Sequence, residues 1–372
     1  MTRGRWVGLA WSMALGILLA EPPALGRVDL PERLTDQAFW KLSADASELG
    51  GYFRSQDITN LTSNELWFQH VIPDLVQRTK PGAVYLGVGP EQNFTYMAAV
   101  RPRMAIIFDI RRGNLDIHLL YKAIFELSKD RSDFLALLFG RPRPSGTSAA
   151  SSARQLFRAL AATPPSDAHY RQNLAAIEER LLAHGFPLRA SDRAAIRAIS
   201  QTFYYSGVAV RPSPTYEDLM TATDAAGVER SFLASEAAFA SLKELQSRNL
   251  VVPVVGDFAG PKAIRAIASY LRAQGAIVSA FYLSNVEQYL YQDGKWDAFC
   301  RNAATLPLDV SSTFIRSTNA GGFGRGGGFI SSLGPMLEEV RSCQPRMAHS
   351  IHGSYVSVDP TKSATFLVTN VN

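Results

Sequence analysis

The sequence predicts an α/β protein with a doubly wound, mostly parallel sheet, a helical insertion and a C-terminal antiparallel hairpin at the sheet edge. Three observations carry this reading. Short apolar runs ending in glycine or an acid alternate with segments of helical period. The block 140–247 is rich in Ala, Arg, Leu and Glu and shows no strand pattern. The last two apolar runs, 351–358 and 364–371, alternate with polar residues as edge strands do.

Taken in order, the chain opens with Arg3 and Arg5, an apolar run over 6–20 and the small-residue exit Ala24-Leu25-Gly26. That pattern is an export signal over residues 1–26. Its apolar run is shorter than the roughly 20 residues that span a bilayer. The expected protein is therefore exported, periplasmic or secreted, with no stable membrane anchor after cleavage. Losing two arginines and one glutamate with the signal lowers the net charge from +5 to +4. The remaining arginines are scattered, so nucleic acid is not an expected partner. Cys300 and Cys343 are the only cysteines. An oxidising compartment permits a bridge between them, and two separate buried thiols fit the sequence as well.

Residues 27–80 read as a helical segment, in which Ser63 starts a helix with Asn64 and Glu65 in its first turn. The first half of the α/β domain spans 81–139. It comprises a strand over 83–88, a glycine turn, a helix, a strand over 104–108 and a long helix over 115–139. The low-complexity stretch 141–152 leads into the insertion. The second half, 248–372, has strands at 250–255 and 276–283, helices at 262–274, 286–291 and 296–303, a short strand at 313–316 and a helix at 331–342. The two closing strands follow.

The stretch Ala83 to Asn114 holds the main functional signal. A strand meets Gly87-Val88-Gly89-Pro90-Glu91, a helix follows, and a second strand stops on Asp109. Absent side chains at Gly87 and Gly89 let the backbone approach a ligand, and a strand-end acid can accept hydrogen bonds from ribose hydroxyls. A third strand ends on Gly256-Asp257, and a fourth runs into Tyr282, Ser284, Asn285 and Glu287.

In this order the chain resembles the class I S-adenosylmethionine-dependent methyltransferases, a Rossmann-like fold. The wording YLGVGPEQNFTY, IFDIRRGN and FYLSNVEQYL is also similar to a poorly characterised bacterial family of exported, methyltransferase-like proteins. The resemblance covers residues 60–139 and 248–372. It implies S-adenosylmethionine as cofactor, with Gly87 and Gly89 along its methionine part, Asp109 on the ribose and Asp257 by the adenine. Glu91 would meet its ammonium or oppose its carboxylate. Tyr282, Asn285 and Glu287 would face the methyl group and substrate. The turn lacks the third glycine of the family pattern, and no Asn-Pro-Pro-Tyr motif follows the fourth strand. The methyl acceptor is not named by the sequence. The alternative on the same fold is a non-catalytic protein that binds a small molecule or nucleotide.

Other chemistries have less support. Gly322-Phe323-Gly324-Arg325-Gly326-Gly327 matches G-x-G-x-x-G, but no acid follows at dinucleotide spacing. It reads as an open loop, with a phosphate cradle or a lid as the other readings. The six histidines are scattered, with His349 and His352 three apart, so no metal is expected. No G-x-S-x-G elbow is present. An exported hydrolase or nucleotide-binding enzyme using Asp257, Asn285 and Glu287 is the third reading.

Overall fold

The computed structural model describes Met1 and residues 29–52, 60–211, 213–319 and 329–343. The export signal, the glycine run 320–328, His349, His352 and both expected closing strands lie outside the described residues.

Helix α1 (Asp36–Ala46) is capped by the Thr35 side chain, which accepts from the Ala38 N–H. A 3-10 turn, Phe68–Val71, leads into α2 (Ile72–Arg78). The first α/β unit is β1 (Val84–Val88), α3 (Gln92–Val100) and β2 (Met104–Asp109), followed by α4 (Arg112–Leu127). Then come α5 (Arg131–Leu138), α6 (Ala153–Ala161), α7 (Asp167–Ala183), α8 (Ala190–Ser206), α9 (Tyr216–Thr221) and α10 (Glu236–Ser247). The α/β pattern resumes with β3 (Val251–Val255), α11 (Ala263–Ala273), β4 (Val278–Ser284), α12 (Val286–Gln292), α13 (Trp296–Ala303) and β5 (Thr313–Asn319). The last elements among the described residues are β6 (Phe329–Pro335) and α14 (Met336–Ser342).

The six strands form one sheet in the order β3-β2-β1-β4-β5-β6. All neighbours are parallel except β5 and β6, which pair antiparallel from Thr313↔Pro335 to Asn319↔Phe329. Strands β1, β2 and β3 are buried at every position, as expected for a parallel sheet covered on both faces. Pro253 is accommodated because β3 is an edge strand. The end of α1 covers that edge. Ser43 Oγ donates to the Pro253 carbonyl (2.5 Å), the Val255 N–H donates to Ser47 Oγ (3.0 Å), and the Glu48 N–H donates to the Val255 carbonyl (2.8 Å).

Three local expectations are corrected. The helix expected over 115–139 is two, because the chain turns out at Ser128 and Asp130 caps α5 by accepting from the Asp133 N–H. The start of the helix expected over 331–342 is strand. Residues up to Pro335 pair with β5, and the helix begins at Met336. Ser63 does not open a helix. It is buried, with the 3-10 turn five residues later.

Among its described residues the insertion adds helices and no strand to the sheet, and a bridge joins Thr223 and Glu229. It shares the core of the α/β unit. Helices α7, α8 and α10 pack on α4, and Phe232 and Phe239 meet Phe125 and Phe134 ring to ring at 5.3–5.9 Å. Each such pair adds to what area burial contributes. Cys300 and Cys343 are bridged, with Cα atoms 5.6 Å apart, which ties α13 to the end of α14.

Candidate functional site

The strand order reverses at β1, whose neighbours are β2 on one side and β4 on the other. In open α/β sheets the crevice beyond the strand carboxyl ends at such a reversal is where ligands bind. A cleft of about 590 Å³ lies there, within the range of small-molecule sites. Gly89 and Pro90 reach it from β1, Asp109 and Arg111 from β2, Gly256 and Asp257 from β3, and Tyr282, Ser284 and Asn285 from β4. Tyr52, Asn60 and Ser63 of the N-terminal segment, Arg211 of the insertion and the α12 region with Asp293 and Lys295 also line it.

The two glycines of the turn have different physical roles. Gly89 sits at φ +77°, with nothing within 4 Å of where a Cβ would project, so it leaves an open cradle on the cleft. Gly87 does not line the cleft. A Cβ there would overlap the Asn93 side chain. Asn93 is fully buried and clamps the turn, its Nδ2 donating to the carbonyls of Val88 (2.9 Å), Gly89 (3.1 Å) and Pro90 (2.8 Å) while Oδ1 accepts from Tyr85 Oη (2.9 Å). His118 Nε2 donates to the same Gly89 carbonyl at 2.9 Å. Burial pushes His118 down to about 4, so the ring is neutral at pH 7.

Asp109 and Asp257 converge on the cleft, and both carry internal partners. The Asp109 carboxylate accepts from the Arg111 N–H (2.8 Å) and guanidinium (3.2 and 3.3 Å). Asp257 accepts from the Ala259 N–H at 2.9 Å and pairs with Lys295 Nζ at 3.2 Å.

Two expected site acids are elsewhere. Glu287 leaves α12 toward β5 and α14, where Arg316 Nε donates to it at 2.7 Å while the same guanidinium holds Glu339. Glu91 is fully buried behind the turn, accepting from the Ser63 N–H at 3.1 Å, and its Oε2 has no partner among the described residues. The resemblance puts both at the cleft by their position in the motif, which does not say to which side of a helix start a carboxylate turns.

Sequence reasoning missed the acid that organises the β4 end. Glu65, 1% exposed, accepts from Gln92 Nε2 (2.8 Å) and from the Ser284 and Ser317 hydroxyls. Ser284 lines the cleft with φ +51°, an uncommon conformation for a residue with a side chain. Tyr282 hydrogen-bonds within the same group, and burial holds its phenol well above the ordinary 10, so it keeps its proton. Nothing local marks Glu65, since Ser284 and Ser317 lie 219 and 252 residues away.

Glu91 gives the fold a pH signature. Burial, with Glu65 adding, pushes its carboxyl from the ordinary 4.5 up to about 7. The folded state then holds a proton that the unfolded chain releases, so Glu91's contribution to stability is fully present below about 4.5 and is lost as pH rises through about 7. Asp116, pushed up to about 7 by burial and Asp192, acts in the same sense, while His118 acts oppositely below pH 6.5. Glu91 alone should contribute a loss of roughly 2–3 kcal/mol between pH 5 and 8. Denaturant unfolding at both pH values should show that Glu91→Gln removes about that much of the slope. An unchanged slope would mean that Glu91 does not titrate in this window.

Among the described residues no group of three His, Cys, Asp or Glu side chains could hold a metal ion, and no helix is long and apolar enough to cross a membrane.

Fold and cleft together define an α/β protein with a polar, small-molecule-sized crevice at the carboxyl edge of a mostly parallel sheet. The chain belongs to the family described as domain of unknown function DUF7790, whose model matches residues 58–356. The match takes in the whole sheet and the insertion. No curated protein matches the chain.

Proposed function

We propose that this cleft binds a nucleoside-type small molecule, with S-adenosylmethionine the first candidate, on a Rossmann-like, methyltransferase-like fold. The observation that carries the reading is the convergence of Gly89, Asp109, Asp257 and Asn285, distant in sequence, around one crevice at the strand-order reversal. The open side of Gly89 suits close backbone approach by a ligand. Asp109 retains acceptor positions beside those that Arg111 uses, since a carboxylate has about four. Bound S-adenosylmethionine would supply an electrophilic methyl group, and the chain's part would be to hold an acceptor near Tyr282 and Asn285 at attack distance.

A non-catalytic binding protein on the same fold is the second reading. It is favoured by Glu287, the carboxylate that the methyltransferase reading expects beside the substrate, being committed to Arg316. Export, expected from residues 1–26, belongs to the same proposal and favours the second reading, because S-adenosylmethionine is made in the cytoplasm.

Calorimetry against S-adenosylmethionine, S-adenosylhomocysteine and adenosine tests the site. Asp109→Asn should weaken whichever binds by about 1–3 kcal/mol, as expected for a buried hydrogen-bond acceptor that loses its charge. An unchanged affinity would remove Asp109 from the site, and no binding by any of the three would remove the proposal.

A further inference from the structure

Ser284 stands at the cleft in an unusual setting. It is the last residue of β4, α12 begins two residues later at Val286, and the serine lines the cleft. Its backbone is left-handed, with φ +51°. Among the described residues Asn60, Arg101 and Asn249 share that sign of φ. Asparagine tolerates it, and Arg101 is the C-cap of α3. Neither reason applies to Ser284. Backbone held in this way recurs at active sites. A serine on a sharp strand-to-helix turn is also how α/β-hydrolases expose their nucleophile. The glycines that flank such a serine are absent from Leu283-Ser284-Asn285, so no sequence motif reveals it.

The side chain has the partner that a nucleophile needs. The Ser284 hydroxyl donates to Glu65, a carboxylate 1% exposed. Glu65 is held in turn by Gln92 Nε2 at 2.8 Å and by the Ser317 hydroxyl, both neutral groups. A hydroxyl bonded to a base that further groups orient is the arrangement that activates serine. Asn285 follows in the cleft wall, with its Oδ1 3.4 Å from Ser284 Oγ. The Nδ2 of that amide is a donor of the kind that stabilises a developing oxyanion. Val286 and Leu290 give the same wall an apolar side.

We propose that Ser284 is a nucleophile for carboxylic esters bound in the cleft, with Glu65 as its base and Asn285 as the oxyanion donor. This goes beyond the adenosyl reading and does not rest on it. Ser284 Oγ adds to the carbonyl carbon while its proton passes to Glu65. The bond from that carbon to the alcohol oxygen then breaks, and the alcohol leaves with the proton from Glu65. Water attacks the acyl-serine in the same way, giving Glu65 a proton that returns to Ser284 Oγ as the carboxylic acid departs. An ester is the class that fits, because an alcohol leaves more readily than an amine and a carboxylate is a weaker base than imidazole.

The test uses the full chain, with a fluorophosphonate and p-nitrophenyl butyrate as probes. Intact mass should show a single phosphonyl group, added with loss of fluoride. Peptide mapping of the native chain should place it on Ser284, which needs no variant. The labelled chain should no longer hydrolyse p-nitrophenyl butyrate, and Ser284→Ala should neither label nor hydrolyse it. Glu65→Gln keeps the shape and should label at least about a hundredfold more slowly, as expected when a general base is lost. Asn285→Ala should lower ester turnover by about a hundredfold. A native chain that takes no adduct on Ser284 overturns the proposal, as does hydrolysis that survives full labelling. Equal labelling rates in the native and Glu65→Gln chains remove Glu65 as the base. None of these probes is an adenosyl compound, so failure here leaves the adenosyl reading standing, and the reverse holds as well.

Discussion

Replacing Glu65 by alanine is expected to lower folding stability by about 3–5 kcal/mol, the range for removing one side of a buried charged hydrogen-bond group. Its carboxylate is the shared acceptor of Gln92 Nε2, Ser284 Oγ and Ser317 Oγ. Each buried donor left unsatisfied costs about 1–3 kcal/mol. Ser317 Oγ lies 3.5 Å from Ser331 Oγ and can turn to it, which holds the total below the sum of three full penalties. Glu65→Gln retains the shape and one acceptor oxygen, so its loss should be less than half as large. Equilibrium unfolding in denaturant measures both variants. A loss below about 1 kcal/mol for the alanine variant would mean that the three donors find other acceptors. The effect reaches the cleft, because Ser284 holds its left-handed backbone at the cleft wall while bonded to Glu65.

Arg131→Ala should cause a comparable loss, about 3–5 kcal/mol. Arg131 is fully buried at the start of α5. Its Nε donates to Glu236 at 2.8 Å, and its two terminal nitrogens donate to the carbonyls of Leu233 (2.7 Å), Ala149 (3.0 Å) and Ser151 (2.8 Å). One planar fork thus joins both ends of the insertion to the α/β unit. Alanine leaves three carbonyls and a carboxylate without their donor and opens a cavity. Lysine keeps the charge but has no fork, so Arg131→Lys should recover less than half of the loss. Denaturant unfolding gives the magnitudes. Limited proteolysis should find new cleavage in 141–152 for Arg131→Ala, and wild-type resistance there would argue against this anchoring role.

Much of the sheet was legible because strands buried on both faces are written as local apolar runs. Residues 83–88, 104–108, 250–255 and 276–283 each match a strand of the structure to within two residues at either end. The misread ends have physical causes. Pro335 stands just before the helix, and pairing with β5 makes the residues that precede it strand. The apolar face that suggested a single helix over 115–139 continues through α5, but Asp130 caps a new helix within it.

The sequence by itself determined the strand–turn–helix alternation, the acids at the strand ends and the helical character of the insertion. These are properties of neighbouring residues, governed by side-chain period and backbone freedom. Only the tertiary structure decided what each polar group faces. It turned Glu287 to Arg316, buried Glu91, used Gly87 to admit Asn93, and brought Glu65 and Glu48 from the N-terminal segment to the sheet's carboxyl edge. The reason is that a buried polar group must be satisfied by whatever the fold brings within hydrogen-bond reach. For Glu65 and Glu48 those partners lie up to 252 residues away, beyond anything a local pattern can record.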